Sequence, residues 1–176
     1  EDTAAISRDH TISISRKGLL TVTGGKWTTY RKMAEDTVDH AMMLGGFDDR
    51  TCVTKELNIH GYHQHAEEFD NLEVYGSDAI KIRNIYDEFE SCAEQLHPDL
   101  NLNAAQVIWA VRQEMARSVE DVLARRSRCL LLNAQASIEI AAKVAALMAK
   151  ELGRDDSWIK SQIKAYQHLA KGYQMV

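Results

Sequence analysis

Two periodicities divide the chain. Between Thr11 and Ser15, Ile12 and Ile14 alternate with small polar residues, the repeat of a half-buried strand. Leu19 to Thr23 repeats the pattern with Leu20 and Val22 on one face, and Arg16-Lys17-Gly18 between them reads as a turn. Residues 11–23 are thus expected to form a hairpin. From Tyr30 the spacing turns helical, with Met33, Ala34, Thr37, Val38 and Ala41 on one side, and Gly45-Gly46 ends the run at about Leu44. Thr51 to His60 reads as another extended segment, and His60 to Phe69 as a linker.

From Ser77 onward the pattern reads as helical throughout. Ser77 is placed to cap a helix carrying Ile80 and Ile85, with Ile82 blurring its face; Tyr86 to Gln95 continues it with Phe89 and Cys92, until His97-Pro98 breaks it. Asn103 caps the next helix, on which Val107, Val111 and Met115 share a face with Ile108 beside them. Ser118 and Asp121 form a near capping box for a short helix ending near Arg125-Arg126. Asn133 opens the longest run, Ala134 to Leu152, and Asp155-Asp156 opens a last helix with Ile159, Ile163, Tyr166 and Leu169. The expected fold class is α+β, mostly α: a short β-hairpin and a strand-turn-helix, then a C-terminal helical bundle. A two-stranded hairpin is marginal alone, so the expectation is that residues preceding Glu1 supply a sheet for it.

Composition narrows the function classes. A formal charge of −5 over 176 residues argues against a concentrated basic surface for nucleic acid. No apolar run approaches the ~20 residues of a membrane-spanning helix, and Glu1-Asp2-Thr3 does not open a signal peptide. Cys52, Cys92 and Cys129 are odd in number and far apart, which suits reduced thiols and offers no zinc spacing.

The strongest candidate chemistry lies at the strand-to-helix junction Gly24-Gly25-Lys26-Trp27-Thr28-Thr29-Tyr30-Arg31. Two glycines permit a sharp turn and close backbone approach. The amides after them open a helix, which favours negative charge. Lys26 adds a cation, and Thr28 or Thr29 is available as a cap. The same residues also describe an ordinary capped turn with an exposed lysine.

The surrounding residues decide between these readings. Ser7-Arg8-Asp9-His10, Gly24 to Arg31, Lys32 to Val38, and Gln113 to Arg126 together resemble the C-terminal part of the FAD-dependent, aerobic-type glycerol-3-phosphate dehydrogenases. The resemblance runs in order over most of the chain and is weakest between Gln64 and Gln95 and after Gly153. It implies that residues 1–60 are the tail of an FAD and substrate domain, and 61–176 a helical cap. It implies hydride transfer from sn-glycerol 3-phosphate to FAD, giving dihydroxyacetone phosphate, with electrons passing to a membrane quinone or, in oxidase relatives, to oxygen. By the same resemblance Arg8 and Lys26 contact substrate, Lys26 is the catalytic cation, and Gly24, Gly25, Lys26, Trp27 and Thr28 lie along the isoalloxazine ring. The full enzyme is expected to be cytoplasmic and peripherally membrane-associated. Most of the FAD site is absent, since no Gly-x-Gly-x-x-Gly fingerprint occurs, so the fragment alone is expected to be inactive.

Other clusters read more plainly. His10 is a second polar contact for that pocket or a structural residue. No residue stands out as the general base. His60, His63 and His65 lack metal-ligand spacing and read as a polar linker, with no metal site. Arg117, Arg125, Arg126 and Arg128 interleave with Glu114, Glu120 and Asp121, which favours ion pairing over anion binding. An alternative function makes the helical part an interaction module, used for homodimerisation or docking.

Overall fold

The computed structural model describes residues 9–88 and 91–174, so Arg8 and Phe89 lie outside the described residues. The chain forms two compact units, Glu1–Ile59 and His60–Val176. As expected, the fold is α+β and mostly α.

In the first unit, β1 (His10–Ile14) pairs antiparallel with β2 (Leu20–Gly24), with Ile12 opposite Val22 and Ile14 opposite Leu20. The Ser15 hydroxyl accepts the Leu19 amide at 3.0 Å and closes the turn, where Gly18 takes a φ of 82°. Helix α1 (Tyr30–Gly45) follows and ends at Gly46 in the left-handed region, as the paired glycines predicted. The extended run expected over 51–60 is not a strand. The chain turns at Val53–Glu56, where the Glu56 amide meets the Val53 carbonyl at 3.2 Å. Among the described residues no strand pairs with it, and an unpaired strand leaves its ladder donors unsatisfied. No described residue of this unit is buried, and Val38, Met43, Phe47, Val53, Leu57 and Ile59 are all exposed.

The second unit holds the core. Residues 66–78 form tight 3₁₀ turns interrupted at Asp70 and Gly76, so the stretch read partly as linker is packed: Phe69 and Leu72 are buried. Helix α2 (Ala79–Ile85) begins at Ala79 with Asp78 before it, not Ser77. Ile82 and Ile85 face inward while Ile80 is exposed, so the inward face is set by Ile82, the residue that blurred the pattern. Among the described residues of 86–95 the expected helix does not form. Instead β3 (Gln95–His97) and β4 (Leu100–Asn103) make a second hairpin around Pro98-Asp99. Leu100 and Leu102 drive it, each almost fully buried.

Helix α3 (Ala104–Gln113) joins two apolar clusters. Val107 and Val111 face α5 (Ala134–Leu152) and α6 (Asp156–Lys171), whereas Ile108 and Trp109 face Phe69, Leu72 and Ile82. Met115 is not on the buried face. The helix stops two residues earlier, Met115 takes a φ of 55°, and the Ala116 amide returns to the Ala110 carbonyl at 2.9 Å. Ser118 and Asp121 do form reciprocal bonds, the Asp121 amide to Ser118 Oγ and the Ser118 amide to Asp121 Oδ2, and the turn they open, Asp121–Arg126, is wound as a π-helix. A short α4 (Cys129–Leu132), absent from the sequence reading, precedes α5. Asn133 and Asp155 cap α5 and α6 as expected, accepting the amides of Ala136 and Trp158. Tyr166 on α6 is locked to α5 by its hydroxyl bond to Ser137 at 2.8 Å, with both residues buried.

The cap of α3 is the most demanding polar contact of this core. The Gln106 amide donates to Asn103 Oδ1 and the Asn103 amide to Gln106 Oε1, each at 2.9 Å, while Asn103 Nδ2 donates to the Tyr86 hydroxyl at 3.1 Å. Asn103 is fully buried. Asn103→Ala strands the Gln106 amide away from water and should cost about 2 kcal/mol, read as a lower denaturant midpoint at unchanged m-value.

Candidate functional site

The junction of β2 with α1 is built from two left-handed residues and a threonine. Gly24 and Gly25 have φ of 83° and 77°. A Cβ on Gly24 would sit 3.2 Å from the Asp9 carbonyl oxygen, and one on Gly25 would sit 2.4 Å from Met33 Sδ. The Gly25 amide donates to the Asp9 carbonyl at 3.2 Å and ties the bend to the start of the hairpin. Trp27–Thr29 then form one 3₁₀ turn that runs into α1.

Neither Thr28 nor Thr29 caps α1 by its side chain. Thr29 does something else. Its Oγ1 accepts the Lys26 amide at 3.1 Å and donates to the Lys26 carbonyl at 2.9 Å, stapling the turn to itself. The amides of Gly25 and Lys26 are therefore used internally. Those of Trp27 and Thr28 open the helix and have no intrahelical acceptor. Lys26 is exposed, and its ammonium has no ion pair or hydrogen bond among the described residues. Trp27 is 86% exposed and stacks on Tyr30 with ring centroids 5.6 Å apart. The bend thus presents two amide donors, one ammonium and an aromatic face outward.

His10 is placed behind this bend. Its Nε2 lies 3.2 Å from Asp36 on α1, which also takes Lys32 Nζ at 2.8 Å. The Lys32 bond holds the Asp36 carboxyl below the usual carboxylate range. Arg31 pairs with Glu35 and donates to Thr54 Oγ1. These contacts fix α1 against β1 and against the segment after α1.

The second unit carries a separate polar group. A cavity of about 280 Å³ is lined by His60, Asp78, Lys81, Trp109, Gln113 and Glu114. Asp78 accepts Lys81 Nζ at 2.8 Å and His60 Nε2 at 2.6 Å. Burial pushes the Asp78 carboxyl up, but these two bonds outweigh it and leave it low. The three histidines once grouped by sequence have different partners: His60 meets Asp78, His63 packs on the Phe69 ring at 4.7 Å, and His65 meets Glu67. Arg125 and Arg126 pair with Asp121, and Arg117 donates to the Val111 and Ala116 carbonyls.

A family model described as the C-terminal domain of alpha-glycerophosphate oxidase matches residues 23–158. The chain belongs to this family. The match takes in the bend and the Gln113–Arg126 stretch; Arg8 precedes it. Among relatives, the chain is 33% identical over 185 residues to a probable mitochondrial glycerol-3-phosphate dehydrogenase of Caenorhabditis elegans, covering 93% of this chain and 26% of that protein. It is 30% identical over 184 residues to the human mitochondrial glycerol-3-phosphate dehydrogenase, covering 93% of this chain and 25% of that one. The X-ray structure of the glycerol-3-phosphate dehydrogenase from Bacillus halodurans complexed with FAD is similar at a TM-score of 0.62 and 25% identity, covering 93% of this chain and 36% of that one. The chain spans about a quarter of the length of these curated relatives.

Sequence reasoning found the bend but missed Glu114. Burial raises its carboxyl above the ordinary range, against the opposing pull of Arg126 and the Trp109 indole N–H, and its Oε2 has no partner. Little local marks it: Trp109 is on the helix that Glu114 ends, but Asp78 and Arg126, which also bear on the carboxyl, come from other segments. A raised folded-state value adds stability below the ordinary carboxylate pKa, and this is lost as pH rises through the folded value. Glu114→Gln removes that dependence. Its melting temperature relative to the parent chain should therefore be higher at neutral pH than in acid, by differential calorimetry at both.

Proposed function

We propose that this chain is the C-terminal piece of a flavoprotein that oxidises sn-glycerol 3-phosphate to dihydroxyacetone phosphate by hydride transfer to FAD. In this reading residues 1–60 end the FAD and substrate domain, and 61–176 form the helical cap. The observation that carries it is the bend at Gly24-Gly25, which leaves the amides of Trp27 and Thr28 and the ammonium of Lys26 unengaged on one short turn. The first unit supports it too, since its apolar side chains stay exposed, as they would in an element that packs on further polypeptide.

Bound FAD would supply the hydride acceptor, an electron-poor ring whose N1 and C2=O edge becomes anionic on reduction. The donor set of the bend fits that charge. Two amides at a helix N-terminus and a neighbouring ammonium stabilise an anion, most strongly where water is excluded. Because Thr29 bonds the backbone back on itself, these donors are preorganised rather than recruited. At both glycines φ lies where an L side chain is strained, and a Cβ on Gly24 would also crowd the Asp9 carbonyl. Arg8 is assigned to the substrate phosphate, where a guanidinium binds two oxygens at once. The alcohol proton needs a general base, which this reading places outside the 176 residues. In this reading a membrane quinone is the electron acceptor. No described helix is long and apolar enough to cross a membrane, and the longer parent is proposed to associate with the membrane peripherally. The adenosine and pyrophosphate of FAD require the dinucleotide fingerprint absent here.

Two measurements test this. The purified 176-residue chain, mixed with FAD and desalted, should retain no flavin absorption and should not reduce a dye with glycerol 3-phosphate. In the longer parent, Arg8→Ala should raise KM for glycerol 3-phosphate about 10²-fold with flavin content unchanged. A yellow, active fragment, or an unchanged KM, would refute the reading.

A further inference from the structure

The bend at Gly24-Gly25 is tied to the hairpin at both of its ends, by two different kinds of contact. On the strand side the tie is backbone: His10 stands directly opposite Gly24 in the β1–β2 register, and the Gly25 amide meets the Asp9 carbonyl at 3.2 Å. On the helix side the tie is a side chain. His10 Nε2 lies 3.2 Å from Asp36 Oδ2, about two turns along α1 from the bend. The other oxygen of Asp36, Oδ1, takes Lys32 Nζ at 2.8 Å, and His40 Nδ1 donates to the Asp36 carbonyl at 2.7 Å. The carboxylate is therefore held from its own helix and has one oxygen left for the histidine.

Packing within this unit does little to replace that contact. No described residue of the unit is buried. Beside the ring lies an open recess of about 350 Å³, lined by Asp9, His10, Ile12, Asp36 and His40. The Arg31 bond to Thr54 reaches the segment after α1, not the hairpin. The His10 side chain is nonetheless only 14% exposed, so its position is defined although its surroundings are not filled. A ring that spans such a gap between strand and helix sets the angle at which the helix leaves the strand. Trp27 and Thr28 lie between the two ties, and that angle decides where their free amides point.

We infer that His10 is a positioning residue for flavin reduction: its ring, bonded to Asp36, struts α1 against β1 and so aims the Trp27 and Thr28 amides. It acts through the bend, not by contact with flavin or substrate. The role rests on the flavin reading above. It also explains why an imidazole stands at the first residue of β1, where the strand pattern asks only for a side chain facing α1. Donors that stabilise developing charge work by being held in place beforehand, and a displacement well under 1 Å is enough to weaken them.

The test uses the longer parent with FAD bound. His10→Ala and Asp36→Ala cut the strut at opposite ends. Each should lower kcat about tenfold, with KM for glycerol 3-phosphate unchanged, and lower the FAD midpoint potential by about 30 mV, a tenfold loss of preference for reduced flavin. The double variant should be no worse than either single, because both remove one link. His10→Gln, whose amide nitrogen can reach Asp36, should recover most of the loss. If His10→Ala fails to retain FAD, Asp36→Ala and His10→Gln carry the comparison. Unchanged kcat and potential in the FAD-loaded single variants overturn the inference. So do losses that simply add in the double variant, which would mean the two residues act separately. Lys26→Met is the control: a shifted potential there, with the His10 and Asp36 variants unchanged, removes this role and leaves the flavin reading standing, whereas an unchanged potential there removes both.

Discussion

The reversal from strand to helix at Gly24 and Gly25 rests on backbone angles that an L side chain reaches only under strain. That constraint fixes the order of everything after it in the first unit. The Gly25 amide returns to Asp9, Thr29 bonds back to Lys26, and α1 departs in the direction that brings Asp36 to His10. The same bonds decide which donors remain. Had Thr29 capped α1 in the usual way, the Lys26 amide would have stayed available; as built, Trp27 and Thr28 supply the open amides. A turn that consumes part of its own hydrogen-bonding capacity to hold the rest in place is suited to meeting charge that forms elsewhere.

The second unit is organised differently. There the constraint is a helix, α3, whose residues from Ala104 to Val111 are all buried, so that its N-terminus must be satisfied internally. Asn103 and Gln106 do so reciprocally, and the Tyr86 hydroxyl accepts from Asn103. With that end settled, α3 can present Val107 and Val111 to α5 and α6, and Ile108 and Trp109 to the turns around Phe69 and Leu72. The Glu114 carboxyl and the Met115 turn sit at its other end, where the chain leaves the core and the polar groups are less fully paired.

What could be read from the residues follows from how local each cause is. The first hairpin, α1, α5 and α6 carry their periodicity and their caps within a few residues, so Gly46, Asn133 and Asp155 were legible. The second hairpin was not, although Leu100-Asn101-Leu102-Asn103 alternates. Four residues are too few to outweigh a helical neighbourhood, and the pairing is decided by the burial of Leu100 and Leu102. Ile82 misled for the same reason: an inward face is defined by what lies opposite, here Phe69 and Leu72. At the bend, glycine and lysine were evident, but the distribution of amides depends on Asp9 and Thr29, whose contacts are tertiary or unusual for their type. The raised Glu114 carboxyl depends on burial and on Asp78 and Arg126 as well as on Trp109 of its own helix, so its own stretch of sequence does not announce it.

The account turns on the claim that the bend stabilises negative charge on a reduced flavin. The midpoint potential of FAD in the longer parent, with and without Lys26→Met, tests it most directly. Removing the ammonium should lower the potential by some tens of millivolts, about 30 mV for each tenfold loss in a two-electron couple, with FAD still bound. An unchanged potential in a fully loaded Lys26→Met protein would contradict it.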